Sequence, residues 1–372
     1  MNAFSFFMPT DVRHGVDIVQ KESTKMAQFG SRALLVTGAR SAQASGALAD
    51  VVAGLEAEGV AYTHFDQVEP NPSLSNVEAG AALARQFQPQ FIVAIGGGSP
   101  LDAAKAIAVL ATNAISAAQL YDGNFAQEPL PIVAIPTTAG TGSEVTPYSV
   151  LTLPDEETKK GFGQPSLFPK VAFLDPRYCA SLPFAVTVDT AVDALSHLVE
   201  GYLSVRANAA SDILAEAGMR LWGQCLPALQ VGDTAIDLEI RDQLLVASAL
   251  GGMTISHTGT AYVHSLGYPL TFYHGIPHGQ ANGLLLPGFL RHGETVLPER
   301  VAVILACLQQ PSTAALGTTL ASLFPERIHL TQDQLDAYVD KTLPTKNVAH
   351  SPGNVSRSVL MDTLTEHFSK RP

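Results

Sequence analysis

The chain has 372 residues, 46% of them hydrophobic and 15% charged, with a formal net charge of -12. That apolar content supports a large core and the length favours two domains over one, while an acidic balance with no basic run excludes a surface built to neutralise a nucleic-acid backbone. No run of eighteen apolar residues occurs, since even AAKAIAVLATNAISAAQL carries Lys105 and Asn113, so no membrane-spanning helix is expected.

The opening MNAFSFFMPTDVRHG has no basic start and is broken by Pro9, so it reads as mature protein rather than a leader. RALLVTG (32–38), FIVAIGGG (91–98) and PIVAIPTTAG (131–140) are apolar runs that end in Gly or Thr, as strands buried on both faces do. Helical patterns lie between them, at 75–87 and 100–111, and that alternation predicts a parallel sheet with ligands at the carboxyl ends of its strands. From about Thr187 the character changes to helices at 189–204, 207–222 and one long pattern over 238–267. The predicted architecture is an α/β domain with a parallel sheet over 1–181 followed by an all-helical domain over 182–372. Cys179, Cys225 and Cys307 are widely spaced and odd in number, which fits buried reduced thiols in a cytoplasmic protein.

Two turns carry glycine. GGGSPLD (96–102) follows a buried strand and opens a helix, with Pro100 suited to the first helical position; free N–H groups at a helix start favour a diphosphate. IPTTAGTGSEVT (135–146) is a second turn of this kind, with hydroxyls at Thr137, Thr138, Thr141 and Ser143. Two such loops on neighbouring strands favour a nucleotide more than either alone, although each hydroxyl serves equally well in local turn bonding.

In DTAVDALSHLVEGY, Asp193 and His197 are four apart among apolar neighbours, so both point from one helix face and can grip one cation. His264 and His278 are separated by Gly275-Ile276-Pro277, so a loop must bring them together. His274 and His278 share no helical face for the same reason. Within the long pattern His257 shares a face with His264 but lies about 10 Å along the axis, too far for one ion, and is set aside as a core or supporting histidine.

The strings GGGSPLDAAKA, IPTTAGTGSEVTPYSVLT, VDALSHLVEGYLS and HSLGYPLTFYHGIPHGQANGLLLP together resemble the iron-containing (group III) alcohol dehydrogenase family, from about Arg32 to Pro287. The resemblance implies a dehydroquinate synthase-like fold, with a Rossmann-like nucleotide domain, a helical domain and a divalent metal in the cleft between them. It implies ligation by Asp193, His197, His264 and His278. A further histidine, common in the family four residues after the third ligand, is Tyr268 here; His274 could partly substitute in proton movement or only line the pocket. Coenzyme contacts implied are Asn71, Gly97, Gly98, Ser99, Asp102, Thr137, Thr138, Thr141, Lys159 (ambiguous with Lys160) and Leu182. Phe162, Tyr148, Leu182, Tyr268 and Phe272 are candidates for the substrate pocket, each equally at home in a core.

In that family an Asp follows the Val-Thr of the first strand, where it accepts the ribose 2′-hydroxyl. This chain reads LLVTGARS: Gly38 leaves room for a 2′-phosphate and Arg40 is near enough to bind it, so NADP(H) is expected, with NAD possible. The implied function is a metal-dependent oxidoreductase that transfers hydride between the nicotinamide and a small primary alcohol or aldehyde, the metal acting as Lewis acid on the substrate oxygen. Fe2+ is expected first and Zn2+ second, in a cytoplasmic homo-oligomer such as a dimer. The alternatives are a dehydroquinate synthase-like lyase, a polyol (glycerol, propanediol or lactaldehyde) dehydrogenase, and a hydroxyacid transhydrogenase.

Overall fold

The computed structural model describes residues 3–324 and 328–368. The chain divides into two compact units, Met8–Pro183 and Phe184–Pro372 with Met1–Phe7. The expected boundary at 181 leaves the N-terminus in the first domain. Phe6 and Phe7 pack instead on the helices, because the Phe6 ring stacks on His257 at 4.3 Å and Phe7 N–H donates to His257 Nε2 at 3.0 Å.

Six strands of the first unit form one sheet: β1 (Asp11–His14), β2 (Arg32–Gly38), β3 (Ala61–Val68), β4 (Phe91–Gly96), β5 (Ile132–Pro136) and, after an antiparallel hairpin of β6 (Tyr148–Leu153) and β7 (Thr158–Gly163), β8 (Val171–Leu174). Their order is β1-β8-β5-β4-β2-β3 and every pairing is parallel. Strands β4, β5 and β8 are buried at every position, which is why they read as unbroken apolar runs. The edge strand β3 is largely exposed and carries no such signal. The longer helices α1 (Ala47–Ala57), α2 (Leu74–Phe87) and α3 (Gly98–Thr112) cover the sheet with two apolar clusters, one containing Leu34, Val36 and Ile107, the other Leu35, Val93 and Phe173. Helix α3 starts two residues before Pro100, which occupies the third helical position instead of the first.

The second unit is built on α4 (Phe184–Leu203), which packs against α5 (Ala209–Val231), α6 (Leu238–Thr258) and α8 (His278–Val296), with α7 (Tyr262–His274) against α8. Its other longer helices are α9 (Pro298–Cys307), α10 (Thr313–Ser322), α11 (Gln332–Thr342) and α12 (Arg357–Phe368). The pattern at 238–267 is thus two helices, not one. Gly259 ends α6 with a left-handed φ of 69° and Ala261 is the N-cap of α7, so the periodicity continues across a break that glycine's backbone freedom permits. The three cysteines are free and buried, and no described helix is long and apolar enough to cross a membrane.

Candidate active site

Every residue of α4 from Ala191 to Leu203 is buried, so its polar side chains must find partners within the protein. Asp193, His264 and His278 each offer a ligand atom, and these atoms lie within 4.8 Å of one another. His264 Nε2 is 3.9 Å and His278 Nε2 3.8 Å from Asp193 Oδ1, separations that one ion can span with bonds of about 2.0–2.2 Å. His197 falls outside that tight group, but its ring stacks on His264 with centroids 4.7 Å apart. Burial alone would raise the Asp193 pKa; the neighbouring His197, His278 and His264 outweigh it and hold the carboxyl below its ordinary range.

The residues fit a divalent ion. His264 Nε2 is buried without a hydrogen-bond partner among the described residues, a costly state for a polar atom that a cation would relieve. Oxygen and nitrogen donors without thiolate suit Fe2+, Zn2+ or Mn2+. The side chain of His278 is 27% exposed while those of Asp193 and His264 are at 6% and 4%, so the group is closed on one side and accessible on the other.

His274 does not join this group. Its Nε2 meets Tyr338 Oη at 2.7 Å, and burial lowers its pKa. His257, on a different helix from His264, is occupied by Met253 O and the N-terminal segment. Tyr268 stacks on the His278 ring at 5.7 Å. Phe162 lies in the core of the first unit, edge-on to Tyr121.

Three supporting side chains carry no such signal in the motifs. Asn282, fully buried, places Nδ2 3.2 Å from both Asp193 Oδ1 and His278 Nε2. Glu200 accepts from Ala261 N–H at 2.9 Å and contacts His264 Nδ1. Asp189 accepts from Gln280 N–H at 2.8 Å at the start of α8; burial pushes its pKa up to about 6 against the pull of that N–H. Helical spacing gives each a weak signal, since Asp189 and Glu200 stand four residues before and seven after Asp193 and Asn282 four after His278; their partners on other helices are not legible from spacing.

The seating of His278 depends on its neighbour. A Cβ at Gly279 would fall on the Asp189 carbonyl oxygen, a backbone atom that cannot step aside. Gly279→Ala is expected to cost about 1–3 kcal/mol or more by forcing α8 off α4, read as a lower urea midpoint with weaker metal retention. An unchanged midpoint would show that the two helices yield freely.

In the first unit β4 and β5 pair through Gly96 and Pro136, so the two glycine turns lie side by side. A Cβ at Gly97 would sit 3.1 Å from Thr138 Oγ1, and one at Gly98 2.7 Å from Thr141 Cγ2, so the threonine side chains pack directly on the glycine turn. The α3 start at Gly98 presents backbone N–H groups suited to a diphosphate. Asn71, in a left-handed conformation at φ 57°, donates its N–H to Ser99 Oγ and accepts from Lys159 Nζ at 2.8 Å, so three of the expected contacts form one cluster. Lys160 instead lies over the Tyr121 ring. Asp102 turns its carboxylate to Ser143 Oγ and Val150 N–H, and Leu182 is partly buried at the end of the unit.

Residues 9–176 match the family model for iron-containing alcohol dehydrogenase, and 187–335 match the model for the C-terminal part of the Fe-containing alcohol dehydrogenase family. The chain is 39% identical over 281 residues to 1,3-propanediol dehydrogenase of Klebsiella pneumoniae, covering 74% of this chain and 71% of that one. It is 35% identical over 274 residues to lactaldehyde reductase of Escherichia coli, covering 72% and 70%. A crystal structure of an iron-containing alcohol dehydrogenase superimposes with a TM-score of 0.92 at 40% identity, over 98% of this chain and 99% of the other. Sulfoacetaldehyde reductase of Bifidobacterium kashiwanohense, in complex with NAD+, gives 0.89 at 28% identity over all of both chains. With both halves matched and the metal-fitting group in its helical half, the chain belongs to the iron-containing alcohol dehydrogenase family and catalyses alcohol–aldehyde oxidoreduction with a nicotinamide coenzyme.

Proposed function

We propose that the chain is an NADP(H)-preferring dehydrogenase of short primary alcohols and aldehydes, with a divalent ion, Fe2+ first and Zn2+ second, held by Asp193, His197, His264 and His278. The observation that carries this reading is the convergence of Asp193, His264 and His278 with a buried, unsatisfied Nε2 among them. An ion held there supplies Lewis-acid polarisation of the substrate oxygen. Asp193 provides the one negative charge of the group, and Asn282 fixes the carboxylate oxygen that faces it. For the coenzyme, the α3 N-terminus takes the diphosphate, Gly97 and Gly98 allow its close approach, and Thr137, Thr138 and Thr141 offer hydroxyls beside it. Asn71, Ser99 and Lys159 form a polar cluster suited to a ribose or phosphate. His274, engaged by Tyr338, receives no proton-transfer role in this reading.

Small substrates are supported by the names of the relatives, a propanediol dehydrogenase and a lactaldehyde reductase, and a dimer in the cytoplasm completes the proposal. The deciding experiment strips the protein with a chelator, reloads it with Fe2+ or Zn2+, and assays two- to four-carbon aldehydes with NADPH and NADH. Full activity of stripped protein would end the metal reading.

Coenzyme choice rests on Gly38. A Cβ there would meet Val68 O at 3.5 Å and Pro100 Cγ at 3.9 Å, ordinary contacts, so the missing carboxylate leaves open space rather than a required turn. Arg40 is exposed two residues on. Gly38→Asp is expected to lower kcat/KM for NADPH by about 10–100-fold, through repulsion of the 2′-phosphate, and to favour NADH. Equal preference in both proteins would remove the NADP(H) assignment.

A further inference from the structure

We infer that Glu200 is a positioning residue that holds His264 with its Nε2 bare and turned to Asp193, through the same carboxylate that caps the helix carrying His264. This rests on the metal reading above. Glu200 is fully buried on α4, seven residues after Asp193. Its Oε1 accepts from Ala261 N–H at 2.9 Å and from His264 N–H at 3.4 Å, and its Oε2 contacts His264 Nδ1. Ala261 is the N-cap of α7 and has no side chain able to cap it, so the carboxylate from a neighbouring helix satisfies N–H groups that would otherwise be orphaned.

Both backbone N–H groups donate to Oε1, and Oε2, the other oxygen of the carboxylate, faces Nδ1 as an acceptor. An acceptor opposite Nδ1 places the imidazole proton on Nδ1 and leaves the Nε2 lone pair unprotonated. That Nε2 lies 3.9 Å from Asp193 Oδ1 and has no hydrogen-bond partner among the described residues. The His197 ring, stacked at 4.7 Å and 24°, restrains the plane. One buried carboxylate thus sets the position of the helix and the tautomer of the ligand together, as partners behind ligating histidines do.

Glu200→Gln separates these two tasks. The amide oxygen can still accept from Ala261 and His264 N–H, but its NH2 then faces Nδ1 and drives the proton to Nε2. Competition with a chelator for Zn2+ or Co2+ is expected to show a Kd about 10–100-fold weaker, with metal-free Tm close to that of the unsubstituted protein. Glu200→Asp, which keeps an acceptor, should recover part of the affinity. Imidazole 15N spectra of the unsubstituted metal-free protein, with His264 assigned from H264A, should show Nδ1 protonated. That measurement decides the matter if Glu200→Gln does not fold. An unchanged Kd in Glu200→Gln while Asp193→Asn loses the metal, or a proton on Nε2, overturns the role of Glu200 alone. Unchanged Kd values in Asp193→Asn and His264→Ala remove the metal reading and this inference with it.

Discussion

Asp193→Asn is expected to leave the protein folded, unable to retain its ion through gel filtration, and at least about 10³-fold lower in kcat/KM. Three imidazoles are neutral ligands, so Asp193 is the only formal anion of the proposed set. An amide keeps the volume and one oxygen beside Asn282 Nδ2, which now sits at 3.2 Å, but it supplies no charge against a divalent cation. The loss corresponds to about 4 kcal/mol of transition-state stabilisation, within the range a Lewis acid contributes. Stability of the metal-free protein should fall modestly, because His197, His278 and His264, which hold the Asp193 carboxyl below its ordinary range, lose that partner. NADPH affinity should be preserved, since the proposed coenzyme contacts lie in Met8–Pro183. Metal content by elemental analysis and steady-state kinetics check both points. A variant that keeps one ion per chain and activity within threefold would show that the cation is held elsewhere.

The sheet strands buried on both faces were legible because a continuous Val/Ile run of strand length, set between helical patterns and closed by glycine, suits the interior of a parallel sheet and little else. Strand β3 was not, because AYTHFDQV is a mostly exposed edge and looks like a polar connection. The helical half was legible as helices, yet the break at Gly259 was hidden: the apolar spacing runs on through it, and only the φ of 69° reveals two helices. That break matters for the site. It puts His264 in the first turn of α7, where the cap from Glu200 can reach its ring and its backbone N–H together. The ligand candidates stood out because a histidine or carboxylate among apolar neighbours needs a reason to be there. Glu200, Asp189 and Asn282 were harder to read because their roles are contacts between helices distant in sequence. Lys105 illustrates the same limit. In sequence it interrupts an apolar run, but its burial and four acceptors emerge only when β6 and the loop before it fold over α3.

Lys105→Met is expected to be the most destabilising single change in the α/β unit, by about 3–5 kcal/mol, because it removes one member of a buried charged network. Lys105 is fully buried and donates from Nζ to Ser143 O at 2.8 Å, Ser143 Oγ at 2.6 Å and Tyr148 O at 2.7 Å, with Thr146 Oγ1 at 3.4 Å. Asp102 Oδ1 is 3.7 Å away. Methionine matches the stem in volume, so the cost is polar: acceptors left unsatisfied and a carboxylate without its cation. These acceptors follow directly on the loop that carries Thr137, Thr138 and Thr141, so NADPH binding should weaken with stability, whereas metal affinity in the other unit should not. Burial pushes the Lys105 pKa down to about 8, with Asp102 and Glu144 opposing it, and pushes Glu144 up to about 7. The folded state therefore holds the Glu144 proton more tightly than the unfolded chain between about pH 4.5 and 7, and stability from this group falls as pH rises through that window. Glu144→Gln should accordingly gain stability relative to the unsubstituted protein at pH 8 more than at pH 5, and it should do so only while Lys105 keeps its hydrogen bonds to the loop. Urea titrations of both variants at the two pH values test this. If Lys105→Met keeps the unsubstituted midpoint and NADPH affinity, the loop is held by its glycine packing against α3 and not by the ammonium.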